Sequence, residues 1–103
     1  MLSAKGQISE AELQRYRRLE CGVLLPLVAD YCKADPDFTP IKNSHTHRWN
    51  LEVSGRHFEL LTTGPKWFDT RARRGGGGAI DLTMHLCDLD FKQAVQKLRG
   101  VIS

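Results

Sequence analysis

Apolar residues recur at helical spacing through the first third of the chain. Leu13, Tyr16, Val23, Leu24, Leu27, Val28 and Tyr31 fall on one stripe interrupted only by Glu20, while Glu10, Gln14, Arg17 and Arg18 take the opposite face. Ser9 followed three residues later by Glu12 has the form of a capping box, so the helix is expected to begin there. Pro26 has no N–H and crowds the preceding turn. Two helical segments are therefore expected to meet between Gly22 and Pro26, with Asp35-Pro36-Asp37 and Pro40 ending the pattern. From Arg48 the period changes to two. Trp49, Leu51 and Val53 alternate with Arg48, Asn50 and Glu52, Ser54-Gly55 supplies turn chemistry, and His57-Phe58-Glu59-Leu60-Leu61-Thr62 returns as the second arm of a hairpin. A further turn at Gly64-Pro65 lets Lys66-Trp67-Phe68-Asp69 form a third strand.

The last third is punctuated by four glycines, Gly75, Gly76, Gly77 and Gly78. Residues 79–87 then read as a short helix and Asp88-Leu89-Asp90 breaks it. Asp90 and Gln93 form a second capping box that opens residues 91–98, with Phe91, Ala94, Val95 and Leu98 as the apolar stripe and Gly100 as the expected C-cap. The expected architecture is α+β: a small antiparallel three-stranded sheet with an N-terminal helix and two C-terminal helices on one of its faces. Residues 1–8 are expected to be a flexible tail and residues 9–103 a single module.

Composition narrows this only slightly. The 103 residues carry 15 Lys and Arg against 12 Asp and Glu, a net charge of +3, so any attraction for nucleic acid has to come from a local cluster. No apolar run is long enough to cross a bilayer and the first residues lack the apolar stretch of a secretory signal, which makes the cytoplasm the expected compartment. Cys21, Cys32 and Cys87 are odd in number and widely spaced, and read as small hydrophobes in a reducing environment.

The local cluster exists. Lys66, Arg71, Arg73 and Arg74 stand against one acid, Asp69, with Trp67 and Phe68 alongside; guanidinium groups track phosphates while bases stack on rings, the combination that single-stranded nucleic acid requires. Strand alternation allows one of Trp67 and Phe68 to face the core, and Phe68 is assigned inward. Arg48 and Arg56 at the hairpin extend the basic surface, and a helix starting just after the glycines would set its positive dipole end beside the arginines. Asp81 at that helix start reads as a dipole partner that also holds a loop arginine. His45, His47, His57 and His85 read as polar loop residues, since no cysteine or carboxylate joins them at ligand spacing. Nucleophile elbows, Walker motifs and paired carboxylates are missing, so an enzyme is not expected.

Gly77-Gly78-Ala79-Ile80-Asp81-Leu82 followed by Phe91-Lys92-Gln93-Ala94-Val95-Gln96-Lys97-Leu98 resembles the end of the zinc-binding domain of bacterial DNA primases, and of related domains in primase-like and Toprim-containing proteins of plasmids, phages and integrative elements. The resemblance covers the C-terminal half; the hairpin matches in shape and the N-terminal helix in position. It implies a zinc-ribbon-like sheet. In the family a Cys-x-x-His and a Cys-x-x-Cys pair bind zinc. Here the second pair falls on Thr70 and Arg73 and the first near Ile41 and Ser44, so the ancestral zinc ligands are absent and no cofactor is expected. Trp49, Phe58, Trp67, Phe68 and Phe91 are expected to supply a core in place of the metal.

The resemblance implies a non-catalytic module that binds single-stranded DNA in replication, primer synthesis or transfer of a mobile element, working with a primase, Toprim or conjugation protein and without a membrane. Its expected contacts are Lys66, Trp67, Arg71, Arg73, Arg74, the glycines from Gly75 to Gly78, Arg48 and Arg56. The alternative is a protein-interaction adaptor that kept the fold without DNA binding. A third reading has zinc held by the histidines and a cysteine.

Overall fold

The computed structural model describes residues 7–102. Its sheet has five strands, not three. β1 (Tyr31–Ala34), β2 (Thr46–Val53), β3 (Arg56–Thr63), β4 (Lys66–Asp69) and β5 (Arg74–Gly77) form an antiparallel meander in which each strand pairs with the next. Four helices complete the fold: α1 (Glu10–Arg18), α2 (Cys21–Val28), α3 (Ala79–Cys87) and α4 (Phe91–Val101). The α+β class therefore holds, and the small three-stranded sheet is corrected at both edges. β1 lies in what reads as the end of the first helix, and β5 is made from the arginine and glycine run itself. Neither edge has an alternating pattern: three of four β1 residues are exposed, and three of four β5 residues are glycine.

The central hairpin follows from local chemistry. Ser54 and Gly55 both adopt positive φ, 51° and 81°, the conformation a two-residue hairpin turn requires. Leu51 faces Phe58 and Trp49 faces Leu60 across it. Leu51, Val53, Phe58, Leu60 and Trp67 line the inner face and pack against Tyr16, Leu24, Leu25, Leu82, Leu86, Val95 and Leu98 of the helices, all buried. Phe68 and Phe91, expected in the core, are 42% and 45% exposed.

The first helical stripe breaks earlier than Pro26 suggests. Leu19 and Glu20 adopt extended backbone between α1 and α2, and Pro26 sits inside α2 without ending it. The two extended residues shift the helical phase, which brings Cys21 and Leu25 inward and leaves Val23, Leu27 and Tyr31 at 55%, 43% and 52% exposure. Burial pushes the Cys21 thiol up to about 12, so it stays protonated and serves as packing; the three cysteines are free.

Caps were readable from the sequence. Ser9 Oγ accepts from the Glu12 N–H, and Asp90 with Gln93 makes the full reciprocal box. Gly100, expected as a C-cap, lies within α4, which runs on to Val101. Glu12 turns away from its own cap and takes a two-pronged contact from Arg99 of α4, at 2.7 and 2.8 Å, with the Tyr16 hydroxyl also donating to it. Of the segment expected to be a flexible tail, residues 1–6 lie outside the described residues; Ile8 packs against the core and the Gln7 carbonyl accepts from Arg99.

The Arg99 guanidinium holds the Glu12 carboxyl down from its ordinary 4.5 to about 2, with burial opposing and Tyr16 assisting. A depressed folded-state pKa contributes stability above the unfolded value and loses it as pH falls through the folded one. Stability of the parent is therefore expected to fall between about pH 4.5 and 2. The slope of urea midpoint against pH over that window should flatten in an Arg99→Ala variant; equal slopes would assign the acid sensitivity elsewhere.

Candidate nucleic-acid interface

Register decides which aromatic side chain is free. Trp67 pairs with Thr62 and Gly76, and Phe68 pairs with Leu61 and Gly75. Trp67 is 3% exposed and stacks on the His85 ring, centroids 4.8 Å apart, while Phe68 points to the other face at 42% exposure. The inward assignment of Phe68 is thus reversed, and Trp67 is removed from the surface contacts. The reason is a gap that only glycine leaves open: a Cβ on Gly76 would lie 2.8 Å from Trp67 Cζ2 and 1.9 Å from Asp81 Oδ2, so the indole and the carboxylate occupy the place of a side chain.

The outer face of the sheet carries Arg48, Leu61, Phe68 and Gly75 in one row across four strands, with Lys66 and Thr63 in the neighbouring row. The Phe68 ring lies against the Gly75 backbone, where a Cβ would come within 3.1 Å of its Cδ1. Beyond it the edge strand β5 presents bare backbone. Among the described residues the side chains of Lys66, Arg71, Arg73 and Arg74 have no acid within 4.0 Å and all four are exposed; Lys66 shares the outer face with Phe68, Arg71 and Arg73 lie in the adjoining turn, and Arg74, opposite Asp69, is on the other face of β5.

Arg48 and Arg56 are differently engaged. Arg48 lies on the same outer row but donates through Nε and Nη2 to Asp35 and sits 5.2 Å over the Phe38 ring. Arg56, at the far end of β3, donates to the Leu86 carbonyl at 2.8 Å and covers Phe58. Neither is brought to the cluster.

The arginine turn is built on Asp69. Its Oδ1 accepts the backbone N–H groups of Arg71 and Ala72, both at 3.0 Å, and its Oδ2 accepts the His85 Nε2–H at 2.7 Å. An ionised carboxylate can only accept, so the ring proton must be on Nε2. Arg73 completes the turn at φ 57° with its N–H on the Asp69 carbonyl. Thr70 Oγ1 donates to Glu59 Oε1 at 2.6 Å. Burial favours the neutral acid at Asp69, yet the Ala72 N–H, the His85 ring and the Arg71 N–H outweigh it and hold the carboxyl below its ordinary value. The acid that seemed to offset the basic cluster is thus 2% exposed and ties the turn to α3, and His85 is a helical, interior residue.

Thr70 and Arg73, where the resemblance to the primase zinc domain would put a second ligand pair, do not suit a tetrahedral zinc, and no group of three His, Cys, Asp or Glu side chains converges among the described residues. The anion cradle expected from glycines, arginines and helix start is also taken apart. The length of β5 separates the arginine turn from the start of α3, and the Gly77 N–H there is taken by Asp81 Oδ2 at 3.1 Å. Gly78 opens α3 at φ 91°, a backbone that glycine adopts readily. Asp81 makes no arginine contact within 4.0 Å.

No described helix is long and apolar enough to cross a membrane. No protein-family model matches the chain, and no solved structure matches it. A stretch of 41 residues is 44% identical to a protein of Zymomonas mobilis subsp. mobilis named only as a 65 kDa protein; the match covers 40% of this chain and 7% of that one.

Proposed function

We propose that the domain is a non-catalytic nucleic-acid-binding module for single-stranded DNA, serving replication, primer synthesis or transfer of a mobile element beside a catalytic primase or Toprim protein. The observation that carries this reading is Phe68: an exposed ring on the open sheet face, with bare glycine backbone on one side, Lys66 on the same face, and the unpaired Arg71, Arg73 and Arg74 along the adjoining turn and sheet edge. A base stacks on the ring while the phosphates run along the cations, and a glycine edge strand leaves no side chain in the way. The contacts are Phe68 in place of Trp67, the four cations and Gly75.

Fluorescence anisotropy with short oligonucleotides at two salt concentrations tests it. Phe68→Ala is expected to weaken binding about tenfold. An Arg71, Arg73, Arg74 triple alanine variant is expected to lower the slope of log affinity against log salt by about 2, from three lost phosphate contacts. Unchanged affinity and slope would discard the site.

One observation favours the adaptor reading as well. Val23 and Leu27 project from α2 at 55% and 43% exposure, next to Tyr31 at 52%. Failure to bind any oligonucleotide at low salt, with a replication or conjugation protein retained through this face and released by Val23→Asp, would decide for it.

A further inference from the structure

A cavity of about 610 Å³ opens between the start of α2 and the β2 end of the sheet, and no reading above uses it. Its walls come from three places that the fold brings together. The Cys21 N–H donates to the Gly64 carbonyl at 2.9 Å, which seats Glu20 beside the β3–β4 turn. His45, in the turn that leads into β2, and His47, in β2 itself, both line it. Trp49 follows at the next alternate position. Its Nε1 donates to Thr62 Oγ1 at 2.9 Å and its Cζ2 packs on Gly22, which leaves the rest of the indole as the cavity wall.

Among the described residues the exposed Glu20 carboxylate and the His45 and His47 rings make no hydrogen bond or ion pair. Asn43 Oδ1 accepts the His45 N–H at 2.8 Å, which turns the amide into the same space. Concave volume, an aromatic wall and converging unpaired polar groups are the marks of a small-molecule site. No lysine or arginine lines it and a carboxylate does, so it does not suit a phosphate. It suits an uncharged planar group that offers N–H donors.

The cavity lies on the inner side of the sheet and meets the outer face only at the strand ends, where Thr63 lines both it and a cavity of about 240 Å³ beside Lys66 and Phe68. A third, of about 360 Å³, links Asn43 to Thr46 and Leu61 of the outer face. The Thr46 and Thr63 hydroxyls bond to each other at 2.7 Å along that rim.

We infer that the cavity is a base subsite: it takes one nucleobase carrying an exocyclic amino group, from the strand whose neighbouring base stacks on Phe68. The base lies against Trp49, the Glu20 carboxylate accepts its amino hydrogens, and His45 and His47 meet its remaining edge. Cytosine, adenine and guanine, whose amino groups offer two hydrogens, are accepted over thymine, whose single N–H at N3 is flanked by two carbonyl oxygens that face the carboxylate unfavourably. The inference rests on the single-strand reading above and assigns specificity to a part of the molecule that reading leaves out.

NMR on the whole chain separates the two. Ring signals of the four histidines and of Phe68 are followed while hexamers of deoxycytidine or thymidine are added, and affinities are measured for the parent and Glu20→Gln. Deoxycytidine hexamer is expected to move His45, His47 and Phe68 and to leave interior His85 in place. Glu20→Gln is expected to weaken the cytidine hexamer about tenfold and the thymidine hexamer less than twofold, with unshifted His85 showing that the variant is folded. If Phe68 moves and His45 and His47 do not, the subsite is overturned and the sheet-face reading stands. If only the two histidines move, the base pocket stands, while its continuity with Phe68 and the sheet-face contacts are overturned. If none moves, both fall. Equal losses for the two hexamers in Glu20→Gln overturn the amino-group preference.

Discussion

Asp69→Ala is expected to lower the unfolding free energy by about 3 kcal/mol, because it leaves the His85 ring N–H and two backbone N–H groups without their acceptor. Asp69 and His85 have side chains 3% and 10% exposed and meet at 2.7 Å. With the carboxylate gone, a buried imidazole keeps no partner, and the N–H groups of Arg71 and Ala72 lose the oxygen that holds the turn. Urea denaturation gives the measurement. Asp69→Asn, which keeps one acceptor oxygen, should fall between the two. Because the Asp69 pKa is depressed, its contribution is present above the ordinary carboxylate range and is lost as pH falls below it, so the gap between parent and Asp69→Ala should shrink in acid. A variant within 1 kcal/mol of the parent would mean that the arginine turn is held by something else.

The second large effect is expected at Gly76. Alanine there must displace both the Asp81 carboxylate, which occupies the place of the new methyl group, and the buried Trp67 ring at 2.8 Å. Overpacking of this kind costs about 2–3 kcal/mol. Gly77 is the control one residue away, with nothing within 4 Å of an added Cβ, and Gly77→Ala should be neutral or stabilising by about 0.5 kcal/mol. Equal effects of the two substitutions would assign the cost to backbone flexibility rather than to the close approach. Comparing them separates the two roles that a glycine run can have, a flexible spacer or a seat for bulky neighbours.

Both predictions concern the same event, the folding of the arginine and glycine run into a sheet edge. In the resemblance to the primase zinc domain this segment is where metal would hold the chain. Here a carboxylate receives two backbone N–H groups and one imidazole, tying the turn to α3. The four cations are left facing solvent, which is the condition for using them on a ligand.

Elements whose cause is local were legible from residue order alone. The Ser54-Gly55 turn, the alternation from Trp49 to Val53, the cap at Ser9 and the box at Asp90 each depend on residues within a few positions of one another, and each stands in the structure. What tertiary structure alone decided is the side of the sheet each residue faces and the partner it meets. Alternation says that Trp67 and Phe68 face opposite ways; only the gap at Gly76, next in register and nine residues on, says that the larger ring goes in. Asp69 and His85 are sixteen residues apart, and their bond exists because β4 and α3 are packed together. β1 and β5 carry no strand pattern of their own and become strands because a neighbouring strand offers them hydrogen bonds. Period, caps and turns are properties of a few adjacent residues; burial, register and pairing belong to the packed whole.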